Sequence, residues 1–279
     1  MINLQELQPG DVHGTFRLRD ACLNETRRGN QYFRIFIEDM SGSLPAYVWH
    51  EEVYRGFYLP NHSLIQIKGE GRYFDNQLRI DLHSLTPVSF KAPGDVVRLI
   101  PRSLCPLPDL LIDLQHAVNT LTIRPLRTFV ETVLADDSLA FAFVSAPASL
   151  NHHHNYPGGL LKHSLECFNL VRRHNDFDTE SYQLGLVSAL LHDIGKILTL
   201  THTMQRTSLG HSLDHDKLTD EVLKPYLFQL ERHWPAGAKE LRYLLGWKIK
   251  RRVPRYNIAD LVACSDRLSA GFDMERKRA

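Results

Sequence analysis

The sequence predicts a multidomain α and β chain, with a five-stranded β-barrel over residues 1–88 followed by an all-α bundle over residues 107–279. Three observations predict it. Through the first third, apolar residues alternate with polar ones, the period of a strand with one buried face. From Leu107 onward they recur at helical spacing instead. Between the two, residues 89–106 hold Pro93, Pro101 and Pro106 with little periodicity, the composition of a linker.

The strands follow in order. Val12–Leu23 is the first. In QYFRIFIED, Phe33, Ile35 and Ile37 alternate with Tyr32, Arg34 and Phe36, and after the turn Met40-Ser41-Gly42-Ser43 comes LPAYVWH. SLIQIKGEG puts Ile65 and Ile67 on one face, and NQLRIDLHSL does the same for Leu78, Ile80 and Leu82. Tight turns are expected at Arg28-Gly29-Asn30 and Asp75-Asn76. The long first strand, the charged hairpin RRGNQY, EDMSGSLPAYVW and GEGRYFDNQLRI together resemble an OB-fold of the kind attached to nucleic-acid enzymes. That resemblance implies an outer face where Tyr32, Arg34, Phe36 and Trp49 stack bases. The competing expectation is that some of these aromatics pack against the second domain.

Helices are expected at 108–121, 124–136, 159–175, 180–198, 216–232, 238–250 and 257–274, with breaks at Asn155-Tyr156-Pro157-Gly158-Gly159 and Trp234-Pro235. The N-terminus MINLQELQPGD has neither a basic flank nor an apolar core, and no apolar run reaches bilayer length, so a cytoplasmic protein with no membrane partner is expected. Cys22, Cys105, Cys167 and Cys264 lie far apart without a CxxC pair, the usage of reduced core thiols. The net charge of +1 is unevenly spread. Residues 1–88 hold 9 basic against 11 acidic residues, while residues 239–279 hold 11 against 5. Attraction for a polyanion therefore centres on Lys248, Lys250, Arg251, Arg252 and Arg255, which are either phosphate contacts or a solvated helix end and loop.

Nine of the fifteen histidines fall between His152 and His215. His163 in GGLLKHS, the adjacent pair His192-Asp193 in LLHDIGK and Asp266 in CSDRLSAG form a nitrogen-and-carboxylate set that can hold a divalent cation and leave positions for water and a phosphate. Lys196, one turn beyond His192, can meet a phosphate oxygen.

These residues resemble the H…HD…D pattern of the HD superfamily of metal-dependent phosphohydrolases. The resemblance narrows toward YhaM-type 3′-5′ exoribonucleases through the barrel, IRPLRTFVETVL, HHHNYPGGLLKHSLE, LHDIGKI and LGHSLDH. A run like HHHNYPGGLLKH also occurs in the HD region of conjugative relaxases. The resemblance implies a phosphodiesterase acting on single-stranded RNA or DNA from the 3′ end. In it, an ion held by His163, His192, Asp193 and Asp266 sets hydroxide in line with phosphorus, and Lys196 and His211 assist. Histidine-rich coordination favours Mn²⁺, with Fe²⁺, Co²⁺ and Ni²⁺ behind it, over Mg²⁺. His153 and His154, ahead of His152, are expected to touch substrate phosphate or to support the ligands.

One departure stands out. Two-metal relatives carry LGH and then a His-His pair; here His211 supplies the first, but Gly246-Trp247 occupy the second. A single tight ion with a weak second is expected, His215 or His233 being alternative ligands. Two other functions stay open at this point: an HD-type nucleotide phosphohydrolase, and a non-catalytic HD/OB module in conjugative DNA processing. A homo-oligomer is among the expected states.

Overall fold

The computed structural model describes residues 3–55, 58–89, 96–247 and 253–276, without the side chains of His215 and Asp216. Its contacts divide the chain into two units, Met1–Ser103 and Leu104–Ala279.

The first unit is a barrel of β1 (Gly10–Glu25), β2 (Gln31–Glu38), β3 (Ser43–Val48), β4 (Leu64–Phe74) and β5 (Gln77–Pro87), with a four-residue helix α1 (Glu51–Tyr54) between β3 and β4. It closes in the order β1-β2-β3-β5-β4, that of a five-stranded OB-fold. The length of β1 makes closure possible. Its first half pairs with β4 and its second half with β2, and the register shifts between Arg19 and Cys22, where Asp20 has φ 51°. Such a bulge bends a strand, so one strand can serve both sides of the barrel. Asp75 and Asn76 both have positive φ, which gives the β4–β5 hairpin the twist its strands require. The alternation read in β2 holds: Phe33, Ile35 and Ile37 are buried while Tyr32, Arg34 and Phe36 stand outside.

The 89–106 stretch is not uniform. Residues 96–103 belong to the barrel unit, where Arg98 O accepts from Met40 N at 2.8 Å and Ser103 N donates to Glu38 Oε1 at 2.9 Å. Arg17, 2% exposed, clamps this segment by donating from Nε to Leu99 O at 2.9 Å and from Nη1 to His62 O at 2.8 Å. Arg17→Met would leave both carbonyls without this donor, at a cost of about 1–3 kcal/mol each. A urea melt should show a midpoint lowered by the equivalent of about 2–6 kcal/mol. An unchanged midpoint would show that the clamp is dispensable.

The second unit contains α2 (Leu110–Thr120), α3 (Arg124–Ala135), α4 (Asp137–Ser145), α5 (Gly159–Arg172), α6 (Thr179–Leu191), α7 (Ser208–Ser212), α8 (His215–His233), α9 (Pro235–Leu245) and α10 (Ile258–Arg276). Its centre is α6, buried on every side from Gln183 to Leu191, as expected of a helix that is apolar all round. Besides the short helix α7, which was not expected, two elements differ from expectation. The helix expected over 180–198 ends at Leu191 and resumes as a 3₁₀ segment, Ile194–Leu198, because the Thr219 hydroxyl of α8 donates to His192 O and accepts from Gly195 N. An unforeseen helix, α4, starts at Asp136, whose carboxylate accepts from Ser138 N at 2.9 Å. Its apolar residues run together without an amphipathic period, so periodicity did not reveal it.

Candidate metal centre and nucleic-acid face

Three helices deliver the four expected ligands. His163 lies in the second turn of α5, His192 caps the C-terminus of α6 with Asp193 next to it, and Asp266 lies on α10. Glycine at two positions lets α5 begin where it does. Gly158 has φ +79°, and a Cβ on Gly159 would collide with His154 O.

The four side chains converge. His163 Nε2 lies 3.3 Å from His192 Nε2, 3.4 Å from Asp193 Oδ2 and 3.0 Å from Asp266 Oδ1. His192 Nε2 lies 3.3 Å from Asp193 Oδ2 and 3.5 Å from Asp266 Oδ1. An ion with bonds of about 2.1 Å in tetrahedral or octahedral geometry sets its ligands about 3.0–3.4 Å apart, so these spacings suit one.

Proton positions support the same fit. His192 Nδ1 lies 2.8 Å from Ala189 O, which can only accept, so its proton sits on Nδ1 and the Nε2 lone pair faces inward. His163 Nδ1 lies 3.0 Å from Ser269 Oγ, which itself donates to Glu166 Oε2 at 2.8 Å. Ser269 therefore accepts from His163, and that Nε2 is also a bare lone pair. Two imidazole acceptors and two carboxylates facing one another call for a cation between them. Cys167 Sγ falls in the same cluster, 3.8 and 3.9 Å from the two ring nitrogens of His163. Nearly equal distances to both nitrogens mean it packs against the ring one turn away, so Asp193 is the better fourth ligand.

Lys196, 6% exposed, reaches Asp193 Oδ2 at 2.7 Å and brings positive charge to this edge. His153 and His154 approach from the loop before α5, their rings 4.9 and 5.4 Å from that of His163. Burial first, then His163, Lys196 and His154, depress His153 to a pKa of about 4. Glu166 would be raised by burial, but hydrogen bonds from His154, Ser269 and Arg276 outweigh it and hold the carboxyl at about 2.

His211 does not join the cluster. It is exposed on the short helix α7, and among the described residues no hydrogen bond or ion pair ties it to the four donors. His152 is exposed as well. Trp247, where two-metal relatives have histidine, is buried, with its ring stacked 5.7 Å from that of Tyr243. Lys248, Lys250, Arg251 and Arg252 lie outside the described residues. A separate cleft of about 420 Å³, lined by Arg124, Tyr226 and His233, shares no residue with the four donors.

On the barrel, the expected aromatics split into two groups. Phe36 lies under the guanidinium groups of Arg19 and Arg34, at 5.2 and 5.7 Å. Tyr32 joins Trp49 at 5.0 Å, with Tyr47 5.9 Å from each. Sequence reasoning missed Tyr47, Phe74 and Arg79. The Arg79 guanidinium sits 5.4 Å from the Tyr47 ring and 4.4 Å from that of Phe74, and Trp49 Nε1 donates to Asp81 Oδ1 at 2.9 Å. Parallel pairing of β3 with β5, Tyr47 opposite Asp81, brings these residues together. The alternation of YVW in LPAYVWH already placed Tyr47 and Trp49 on one face, and was the available signal.

The His-His-Asp-Asp cluster gathers where three helices meet, with both histidines and Asp193 buried and Asp266 half-buried, and residues 160–271 match the HD domain family. Similarity then extends across both units to one group of enzymes. The chain is 23% identical over 222 residues to the 3′-5′ exoribonuclease YhaM of Listeria welshimeri, covering 75% of this chain and 68% of that protein. It is 18% identical over 190 residues to YhaM of Bacillus subtilis, covering 66% and 60% respectively. The chain thus spans about two thirds of the length of these relatives. Among solved structures, the second OB-fold domain of replication protein A from Methanococcus maripaludis aligns with 32% of this chain and 96% of its own length, at 18% identity and a TM-score of 0.26. No helix among the described residues is long and apolar enough to cross a membrane.

Proposed function

We propose that this chain is a metal-dependent phosphodiesterase that removes nucleotides from the 3′ end of single-stranded RNA. The observation that carries this reading is the pair of inward-facing Nε2 lone pairs on His163 and His192, 3.3 Å apart and flanked by Asp193 and Asp266. These four residues would hold a divalent cation, with Mn²⁺ the best fit to two imidazoles and two carboxylates. When bound, such an ion lowers the pKa of a coordinated water and offsets charge on a phosphoryl oxygen.

The chain's own residues supply the rest. Ala189 O and the Ser269–Glu166 relay fix the two imidazole tautomers, so neither ring has to reorient before it ligates. Lys196 steadies the Asp193 carboxylate, and its ammonium is proposed to meet a phosphoryl oxygen. Tyr32, Tyr47 and Trp49, with Arg79 above them, offer the barrel's outer surface to bases, a mode of binding that tolerates any sequence. Lys248, Lys250, Arg251 and Arg252 are proposed to contact phosphates. The protein is proposed to work in the cytoplasm.

The test uses the full chain with Mn²⁺ and 5′-labelled single strands of RNA and DNA of one sequence. A ladder shortening from the 3′ end, with nucleoside monophosphates released and RNA preferred, is the expected result. DNA cut equally well would widen the substrate to both polymers. Intact strands alongside phosphate or pyrophosphate released from free nucleotides would overturn the reading in favour of a nucleotide phosphohydrolase.

A further inference from the structure

We infer that His153 and His154 form a second cation site beside His163, taking the place of the His-His pair that this chain lacks. The inference rests on a cation being held by His163, His192, Asp193 and Asp266, and it concerns a different set of nitrogens.

Ring nitrogens of His153, His154 and His163 lie within 4.8 Å of one another. His154 is fully buried, and its Nε2 lies 3.1 Å from Glu166 Oε2. A carboxylate accepts, so the proton of a neutral His154 sits on Nε2 and Nδ1 carries a bare lone pair. Among the described residues, that Nδ1 has no hydrogen-bond partner, and neither does the buried Nε2 of His153. Two unpartnered ring nitrogens side by side, the one on His154 a bare lone pair, are costly unless a ligand occupies the space between them. A carboxylate behind an imidazole, aligning its far nitrogen, is the arrangement that metal-ligating histidines adopt.

The backbone holds the pair in place. His154 takes φ 45°, a conformation uncommon outside glycine. Its N–H donates to Asp273 Oδ2 at 2.7 Å, and its carbonyl accepts from Ala148 N at 3.2 Å. Strain of this kind persists where the surroundings over-determine it, and such sites are commonly functional. Glu166 serves both centres, since its Oε2 accepts both from His154 and from Ser269, which orients His163. Trp247, stacked on Tyr243, has no ligating atom to offer.

His163 has one nitrogen held by Ser269 and the other committed to the first centre, so the second site has two protein ligands. It therefore takes a borderline transition ion such as Mn²⁺, Fe²⁺, Co²⁺ or Zn²⁺ weakly, with water or a phosphoryl oxygen completing the shell.

Equilibrium dialysis of the full chain against Co²⁺, with elemental analysis and the visible ligand-field spectrum, tests this. Wild type should bind one tight and one weak ion. His153→Ala and His154→Gln should each keep the tight ion and weaken the second at least tenfold. In His154→Gln the amide can still donate to Glu166, and circular dichroism checks that both variants fold. His192→Ala should lose the tight ion and keep the weak one. Wild type binding a single ion that His153→Ala leaves untouched would overturn the second site and leave the first standing. A chain that binds no Co²⁺ would overturn both.

Discussion

Substituting His192 or Asp193 with alanine is expected to empty the metal centre and to slow RNA shortening on the order of a thousandfold or more. A bound ion contributes several kcal/mol of charge stabilisation in the transition state, and each 1.36 kcal/mol is a factor of ten in rate. His192 supplies one of two nitrogens, and Asp193 Oδ2 lies 3.3–3.4 Å from both. The two variants should nevertheless differ in stability. Asp193→Ala strips Lys196 of a carboxylate 2.7 Å away in a site where the lysine is 6% exposed. Breaking a buried pair by removing one member costs about 3–5 kcal/mol. His192→Ala removes no partner of that lysine, so its cost should be smaller. Adding Lys196→Met to Asp193→Ala should then recover stability without recovering activity. Unfolding midpoints and rates on one labelled RNA measure both quantities. A His192→Ala protein with wild-type rate and metal content would remove the basis of the proposed chemistry.

Trp49→Ala should weaken binding of single-stranded RNA by roughly 5- to 150-fold, since base–aromatic stacking contributes about 1–3 kcal/mol per base. Trp49 is 40% exposed and is held by Asp81 and by its contacts with Tyr32 and Tyr47, so the platform needs little ordering on binding. Tyr47→Ala should have a smaller effect of the same sign. The loss should leave the salt dependence of binding unchanged, because an indole neutralises no phosphate. Ile112→Ala, at an exposed apolar position in α2, serves as the control. Fluorescence anisotropy at several salt concentrations measures this, and equal affinity of Trp49→Ala and wild type would assign the aromatic cluster to packing instead.

The barrel strands and their inward faces were legible because alternation is a two-residue property that survives whatever the rest of the chain does. Ile35, Ile37, Ile65, Ile67 and Ile80 were read as buried, and each is fully so. The H…HD…D set was legible for a related reason, since chemistry of that kind needs particular side chains at helix positions a motif can capture. Trp247 shows the boundary. That it could not ligate followed from its side chain, but that it is stacked on Tyr243 required coordinates.

The chain order alone therefore specifies the strands, most of the helices and the four side chains proposed as ligands, all of which depend on short-range pattern or on residue type. Folding in three dimensions settled other matters. It set Arg79 over Tyr47 through the β3–β5 pairing, and joined His163 to Glu166 through Ser269, more than a hundred residues along the chain from either. Where an imidazole keeps its proton is decided by the atom facing its other nitrogen. When that atom comes from a distant helix, no local pattern can reveal it.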